Sequence, residues 1–215
     1  MSDGVRIWCL RHGEAEHGTT GTAEADSTAQ LTARGRRQAI AAGRTLAAAP
    51  ITRIYTSTAV RARQTADLLA TTLAPTPALP ITAMPELVEA GCTADVLRAW
   101  VVEQDLGRRG ADGETRQQVV TRVTAALETI AGAHPGETVA VVGHVASLTV
   151  ALGRLCGLGA GYGAHPCRTR GPSSSSGTAM PGTARPGLPS GNPCHTPLDH
   201  WRSQYPIYRS ELLLS

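Results

Sequence analysis

The spacing of apolar residues near the start of the chain alternates between a strand pattern and a helix pattern. Val5 to Leu10 is a short, mainly apolar run with the length and composition of a β-strand. A polar stretch follows, after which the spacing predicts a helix that begins near Thr32, a favourable N-cap residue, and ends at Pro50. The residues that share its apolar face are Ala39, Ile40, Gly43, Leu46 and Ala47. Ile51 to Thr56 then has the pattern of a second strand, so the chain begins with a β-α-β unit.

Further along the chain the same alternation predicts a second helix, whose apolar face is Ala62, Ala66, Leu69 and Leu73. Prolines interrupt the next stretch, which is therefore predicted to be an irregular connection, and it carries Glu86 and Glu89. A long helix is predicted from Thr115 to Gly132, followed by the apolar run Thr138 to Val142, as expected for a strand covered on both faces of a parallel sheet. A last helix has the apolar face Leu148, Leu152 and Leu155. These patterns predict an α/β fold, a three-layer α/β/α sandwich around a mostly parallel sheet.

The composition changes abruptly after Cys156. Residues 157–196 are dominated by Gly, Pro, Ser and Thr, and such a segment buries too little apolar area to offset the entropy cost of ordering. We therefore expect an α/β core in residues 1–156 and a disordered or loosely held insertion in residues 157–196. Residues 197–215 are expected to form a C-terminal helix and a short strand that return to the core. A length of 215 residues suits one domain with such an insertion.

Charge and composition limit the classes of partner. The net charge of +3 is modest and the arginines are scattered, which gives no reason to expect a nucleic-acid partner. Apolar runs such as Val139 to Val142 are too short to span a bilayer, and the N-terminus has no apolar signal-peptide segment. The five cysteines include no CxxC pair, which argues against a disulfide framework and favours reduced thiols. We expect a cytoplasmic protein with no membrane partner.

Two of the predicted strands end in loops that carry a histidine. Arg11-His12-Gly13 follows the first strand, and Gly143-His144 follows the apolar strand that ends at Val142. The carboxyl ends of parallel strands meet at one edge of a sheet, where open α/β sheets bind ligands. We therefore expect both imidazoles at this edge. Each motif alone is weak, because a single histidine is more often structural than catalytic.

Together with other segments, these motifs resemble the histidine phosphatase superfamily, also called the phosphoglycerate-mutase-like family. The resemblance covers about residues 5 to 156. The matching segments are Leu10-Arg11-His12-Gly13-Glu14; Leu31-Thr32 with Gly35 and Gln38-Ala39; Tyr55-Thr56-Ser57 with Arg61-Ala62 and Gln64-Thr65-Ala66; Gly113-Glu114-Thr115; and Val142-Gly143-His144. Five separated segments in the expected order make the joint signal strong where each part is weak. The resemblance implies the phosphoglycerate-mutase-like fold.

The resemblance also implies a reaction, a two-step phosphoryl transfer. His12 would attack phosphorus, and water would then hydrolyse the phosphohistidine. Arg11, Arg61 and His144 would surround the phosphoryl oxygens, because phosphoryl transfer depends mainly on positioning and charge complementarity. The expected substrate is a small phosphorylated metabolite, and no metal or other cofactor is expected. The oligomeric state is left open.

The leaving oxygen needs a proton, and the family supplies it from a carboxylic acid in the connection after the arginine-bearing helix. The candidates are Glu86 and Glu89, and Leu87-Val88-Glu89 resembles the family's Leu-x-Glu pattern, which favours Glu89. Burial beside the phosphate would raise the pKa of such an acid. Glu14 is expected either to support the site by orienting the loop or a histidine, or to lie at the surface or the start of a helix.

Two departures from the family pattern favour hydrolysis of a phosphomonoester. Many mutases of the family carry Thr and Asn at the positions that Ala15 and Gly18 occupy here, so two polar phosphate-side contacts are missing. A phosphoglycerate-type mutase stays an alternative, distinguished by transfer within one substrate instead of phosphate release. A second alternative is a non-catalytic phosphate-binding or scaffold protein, in which Glu86 and Glu89 would both lie far from the phosphate.

Overall fold

A computed structural model describes residues 4–16, 27–74, 77, 79–91, 93–103, 105, 107–156, 167–168 and 209–214. The strands are β1 (Val5–Arg11), β2 (Ile51–Ser57), β3 (Ile81–Met84), β4 (Thr138–Gly143), β5 (Cys167–Arg168) and β6 (Arg209–Leu214). Across these ranges they form one sheet in the order β3-β2-β4-β1-β6-β5. The pairs β3–β2, β2–β4 and β4–β1 are parallel, β6 is antiparallel to β1, and β5 is parallel to β6.

Helices cover both faces of this sheet. They are α1 (Ala33–Leu46), α2 (Val60–Leu73), α3 (Ala94–Arg98), α4 (Arg116–Ala133) and α5 (Val145–Leu155), with a 3₁₀ turn at Pro85–Leu87 and a π-helical turn at Ala99–Glu103. The helices α1 and α2 share one apolar cluster with the sheet, whereas α4 and α5 share another on the opposite face. The predicted three-layer α/β/α sandwich around a mostly parallel sheet is confirmed.

The alternation of side chains along β1 explains why this strand is central. Ile7 and Cys9 lie in the cluster beneath α4 and α5, whereas Leu10 lies in the cluster beneath α1 and α2. All six residues of β4 are buried, as the apolar run predicts for a strand between two helical layers. These two strands are neighbours, so their carboxyl ends, with the loops that follow, lie side by side.

The starts of two helices follow the residues predicted for them. Thr32 is the N-cap of α1 and its hydroxyl accepts a hydrogen bond from the Gly35 N–H. Thr115 caps α4, and Gln118 completes a capping box by accepting from the Thr115 N–H. Because an N-cap satisfies an N–H that has no partner within its helix, these residues fix where each helix begins.

The prediction of an irregular connection before Glu86 is wrong in part, because Ile81–Met84 forms the edge strand β3. This strand pairs in parallel with β2, and the carbonyl of Pro80 accepts a hydrogen bond from the Ile54 N–H at 2.9 Å. Proline lacks only the donor, so it can precede an edge strand that pairs on one side. None of the residues of β3 is fully buried, which is why the strand has no apolar signature.

Several predictions fall outside the described residues. The insertion of residues 157–196 lies outside them except for β5, and so does the C-terminal segment before β6; both stay predictions.

Cys9 is a free, buried cysteine, but Cys156 is disulfide-bonded, so the expectation of reduced thiols is wrong for that residue. An odd number of cysteines permits a single disulfide without a framework. No helix in the described ranges combines the length and the apolar character that crossing a bilayer requires.

Candidate active site

His12 lies directly after β1, beside the end of β4. Its backbone N–H donates to the carbonyl of Gly143 at 3.0 Å, and its Nδ1 lies 2.7 Å from the Gly13 carbonyl. Because a carbonyl only accepts, Nδ1 carries the ring proton and Nε2 keeps its lone pair. Arg61 donates from Nε to this Nε2 at 3.0 Å. The nitrogen with the lone pair is therefore directed towards a cation.

Arg61 joins the two histidines. It stands in the first turn of α2, is 5% exposed, and its Nη2 lies 3.3 Å from Nδ1 of His144. His144 is the N-cap residue of α5 and is fully buried, and its ring centroid lies 5.0 Å from that of His12. The strand ends bring the two imidazoles together as expected, and α2 adds the guanidinium between them.

Both imidazoles are neutral at pH 7. Burial, followed by the charge of Arg61, lowers the pKa of His12 from 6.5 to about 3, against a smaller opposing effect of the Gly13 carbonyl. Burial also holds the pKa of His144 well below 6.5, and the charges of Arg61, Arg11 and, once it is protonated, His12 act in the same direction. Arg11, the last residue of β1, therefore lies close enough to act on both rings. A neutral imidazole beside two arginines suits nucleophilic attack on an anionic phosphoryl group.

Acid is expected to destabilise the protein through His12. Its pKa in the folded protein, about 3, lies below the ordinary value of 6.5, so the folded state binds fewer protons than the unfolded chain. This contribution to stability is present above pH 6.5 and is lost as the pH falls towards 3. Between about pH 7 and about pH 4.5, urea titrations should show a loss of unfolding free energy about 2–3 kcal/mol larger for wild type than for His12→Asn.

The difference between wild type and His12→Asn cancels the contributions of the acid-sensitive groups that both proteins keep. The raised pKa of Glu89 acts in the opposite direction, since that group stabilises the folded state as the pH falls, but it is common to both proteins. Equal pH dependence of the two unfolding free energies would contradict the neutral, buried state of His12.

The loop after His12 rests on the start of α1 through two glycines. The Gly13 N–H donates to Thr65 Oγ1 at 3.1 Å, which links the loop to α2. A Cβ on Gly35 would lie 1.9 Å from the Glu14 carbonyl oxygen, and one on Gly13 would lie 2.5 Å from the Gly35 carbonyl oxygen. Backbone lies against backbone here, so neither position has room for a side chain.

Gly35→Ala is expected to shift this loop and with it His12. The obstructing atom is backbone, so we expect a loss of about 1–3 kcal/mol of unfolding free energy together with a lower kcat. Gly132→Ala is the matched control, because a Cβ there meets no atom within 4 Å and the substitution favours a helix. Urea titrations and a turnover assay on both variants check this. A Gly35→Ala protein as stable and active as the control would contradict the close packing of the loop.

Glu14 contacts the start of α1. Its Oε1 accepts from the Thr32 hydroxyl at 2.9 Å, and its Oε2 pairs with Arg34 at 3.2 Å. The Glu14 N–H also donates to Gln38 at 2.8 Å. These contacts, all with α1 and its cap, place Glu14 as an anchor of the loop.

The structure brings Glu89 to the site and leaves Glu86 at the surface. Glu89 accepts hydrogen bonds from the N–H groups of Ala146 at 3.2 Å and Ser147 at 2.9 Å, in the first turn of α5 next to His144. Burial raises the pKa of Glu89, and these N–H donors and the charge of Arg61 oppose the increase. The Glu86 side chain is exposed.

A positioning residue that the sequence did not reveal holds the segment of Glu89. Arg122 on α4 donates from Nη1 to the carbonyls of Glu86 at 2.8 Å and Val88 at 2.9 Å. Its Nε and Nη2 bind both carboxylate oxygens of Glu114, at 2.8 and 2.7 Å. Glu114, which lies one residue before the helix cap Thr115, orients the Arg122 side chain. In the sequence, the sign of this role is the position of Arg122 beside Val123, a residue of the apolar face of α4.

Among the described residues, no three or more His, Cys, Asp and Glu side chains are grouped to hold a metal ion. The arrangement of His12, Arg61, His144 and Arg11 instead offers a neutral nucleophile and cationic donors around one point. Glu89 supplies a titratable oxygen near them. Such a set can bind a tetrahedral oxyanion, accept the phosphoryl group on nitrogen and provide a proton.

Comparisons with known proteins agree with this arrangement. The sequence-family model of the histidine phosphatase superfamily (branch 1) matches residues 7–166. The solved structure of YhfR from Bacillus stearothermophilus is 25% identical, with a TM-score of 0.57, and the match covers 73% of this chain and 82% of that one. A mycobacterial glucosyl-3-phosphoglycerate phosphatase in complex with VO3 shares the fold at 22% identity and a TM-score of 0.56. The match covers 72% of this chain and 82% of that one. A phosphoserine phosphatase from Entamoeba histolytica shares the fold at 17% identity and a TM-score of 0.56, and the match covers 72% of this chain and 81% of that one. No curated protein matches the chain.

Proposed function

Because the chain belongs to the histidine phosphatase superfamily (branch 1), we propose that it hydrolyses small phosphomonoesters through a phosphohistidine on His12. One observation carries the proposal: Nε2 of a buried, neutral His12 keeps its lone pair and lies 3.0 Å from Nε of Arg61. A phosphoryl group that binds Arg61 would therefore sit against the nitrogen that attacks it.

The first step forms the bond between phosphorus and Nε2 and breaks the bond between phosphorus and the ester oxygen. Arg11, Arg61 and His144 surround the phosphoryl oxygens, and the two guanidinium groups offset the charge that these oxygens carry. The Gly13 carbonyl keeps the proton of His12 on Nδ1 and stabilises the cationic ring that forms when Nε2 is phosphorylated.

Glu89 provides the acid and base of the two steps. In the first step its carboxyl group gives a proton to the leaving oxygen, and in the second its carboxylate takes a proton from the water that attacks phosphorus. The raised pKa of Glu89, caused mainly by burial, supports this role, because the group must be protonated when the substrate binds. At the end of the cycle the proton is back on Glu89 and His12 is free.

Hydrolysis is favoured over a mutase reaction by the loop after His12. Ala15 forms an isolated β-bridge with Leu31, so this segment is held by backbone pairing. An alanine at this position provides no hydroxyl to retain a second phosphoryl group while the substrate reorients.

Release of inorganic phosphate from a substrate panel tests the proposed function. The panel contains sugar phosphates, phosphoglycerates, nucleoside monophosphates and p-nitrophenyl phosphate, with and without EDTA. We expect release from at least one compound class at a rate that EDTA leaves unchanged, because the guanidinium groups of Arg11 and Arg61 supply the positive charge. Arg61→Ala, purified in parallel, controls for contaminating phosphatases. No release from any class would contradict a hydrolase, and positional transfer without release would indicate the mutase.

A further inference from the structure

Among the described residues, Ser57 is the partner of the His144 ring that the proposed reaction does not use. It is the last residue of β2 and is fully buried. Its Oγ lies 2.8 Å from Nε2 of His144 and accepts a second hydrogen bond from the Ala59 N–H at 3.2 Å. Residues 57 and 144 are 87 positions apart in the sequence, so the chain pairs a hydroxyl with an imidazole at the joined ends of β2 and β4.

The guanidinium of Arg61 fixes where the His144 proton lies. Arginine has donors and no acceptor, so Nδ1 of His144, 3.3 Å from Arg61 Nη2, must be the accepting nitrogen. A neutral imidazole has one ring proton, which therefore lies on Nε2 and is donated to the Ser57 oxygen. In the free enzyme the hydroxyl of Ser57 acts as an acceptor.

Binding of a phosphoryl group reverses what Nδ1 needs. Phosphoryl oxygens accept hydrogen bonds and attract the Arg61 donors, so Nδ1 then faces an acceptor and requires a proton. If the ring stays neutral, Nε2 must lose its proton and become an acceptor. A hydroxyl can pair with Nε2 in both states, because rotation about its C–O bond converts it from acceptor to donor.

We propose that Ser57 is a positioning residue that lets His144 change tautomer, so that His144 accepts from Arg61 in the free enzyme and donates to the phosphoryl group in the complex. One proton leaves Nε2 and one arrives at Nδ1 by exchange with water, and the charge of the ring does not change. The Ser57 hydroxyl rotates to donate to Nε2. This inference rests on the proposed function, since it assumes that the phosphoryl group binds between Arg61 and His144.

Nitrogen-15 NMR of the histidine rings tests the tautomers directly. The full chain, labelled with 15N, is measured alone and with saturating inorganic phosphate, and His144→Gln assigns the resonances. In the free enzyme we expect a protonated Nε2 and an unprotonated Nδ1, and with phosphate the reverse. The same tautomer in both states overturns the proposal, and so does protonation of both nitrogens in the complex. If phosphate shifts the 15N resonances of neither His12 nor His144, the proposed phosphate site itself is wrong. This outcome separates failure of the proposed function from failure of the tautomer proposal.

Substitution at Ser57 provides a second measurement. Ser57→Ala should lower kcat/KM and the affinity for inorganic phosphate by about tenfold to a hundredfold, the range expected when a buried ring nitrogen loses its hydrogen-bond partner. In its phosphate complex, Nε2 of His144 lacks the hydroxyl donor, so the ring should no longer be held with its proton on Nδ1. Thr56→Val is the matched control, because the hydroxyl of this buried neighbour donates to the Ser57 backbone carbonyl, at 3.3 Å. Wild-type phosphate affinity and tautomers in Ser57→Ala overturn the proposal. If that variant does not fold, the wild-type spectra still decide.

Discussion

Replacement of His12 by alanine is expected to lower the rate of phosphate release by at least about a thousandfold, because the covalent route loses its nucleophile. Among the described residues, the other imidazole in the pocket is that of His144, which the proposed reaction uses as a hydrogen-bond partner of the phosphoryl oxygens and whose second nitrogen lies against Ser57. The rate is measured at saturating substrate, and circular dichroism checks that the variant folds. A His12→Ala protein within about tenfold of wild type would contradict the assigned nucleophile.

His144→Ala is the matched control for this loss. It removes an imidazole of the same pocket whose ring centroid lies 5.0 Å away, so it removes similar volume and one hydrogen-bond donor. We expect this variant to be slower than wild type but still able to form the covalent intermediate. If the two variants fail in the same way, including loss of the intermediate, the difference in role between the two rings is wrong.

Replacement of Glu89 by glutamine is expected to have an effect that depends on the leaving group. An alkoxide leaves only when protonated, so alkyl phosphate hydrolysis should slow by about 10²- to 10⁴-fold, the usual contribution of a general acid. The p-nitrophenolate ion leaves without a proton, so the rate for p-nitrophenyl phosphate should fall by less than about tenfold in the first step. Parallel measurements of kcat/KM on the two substrates give the comparison, because kcat/KM reports the first step and is independent of the later hydrolysis of the phosphohistidine.

The leaving-group contrast separates proton donation from stability. Glu89→Gln also changes the side chain that accepts hydrogen bonds from the first turn of α5, and any loss of folded protein lowers both rates equally. Glu86→Gln is the matched control, because that exposed carboxylate lies three residues earlier in the same segment and should leave both rates unchanged. Equal slowing on both substrates by Glu89→Gln, or a leaving-group effect in Glu86→Gln, would contradict the assigned acid.

The buried elements of the fold were predictable because burial leaves a pattern in the sequence. The apolar run of β4 and the helical faces of α1, α2 and α4 are each repeated over several residues. The edge strand β3 lacks such a pattern, since three of its four side chains are exposed and its pairing with β2 determines its conformation. The prolines that flank it were a correct sign of its ends and a misleading sign for the strand itself.

The candidate site was predictable where side chains follow strand ends or match the family. The structure brings His12, Arg61, His144 and Glu89 together, and their roles stay predictions until the variants are measured. The contacts of Ser57 with His144 and of Arg122 with the Glu86 carbonyl were not predictable. They join residues 87 and 36 positions apart, and no local spacing encodes such pairs.

Direct detection of the phosphoenzyme tests the central role of His12. Wild-type protein is mixed with a 32P-labelled phosphomonoester found in the panel, quenched in alkali within the first turnover, and analysed by mass spectrometry. We predict label on His12 that survives alkali and is released by acid, with none in His12→Ala. Turnover without labelled protein, or label on another residue that persists in His12→Ala, would contradict a phosphohistidine mechanism on His12.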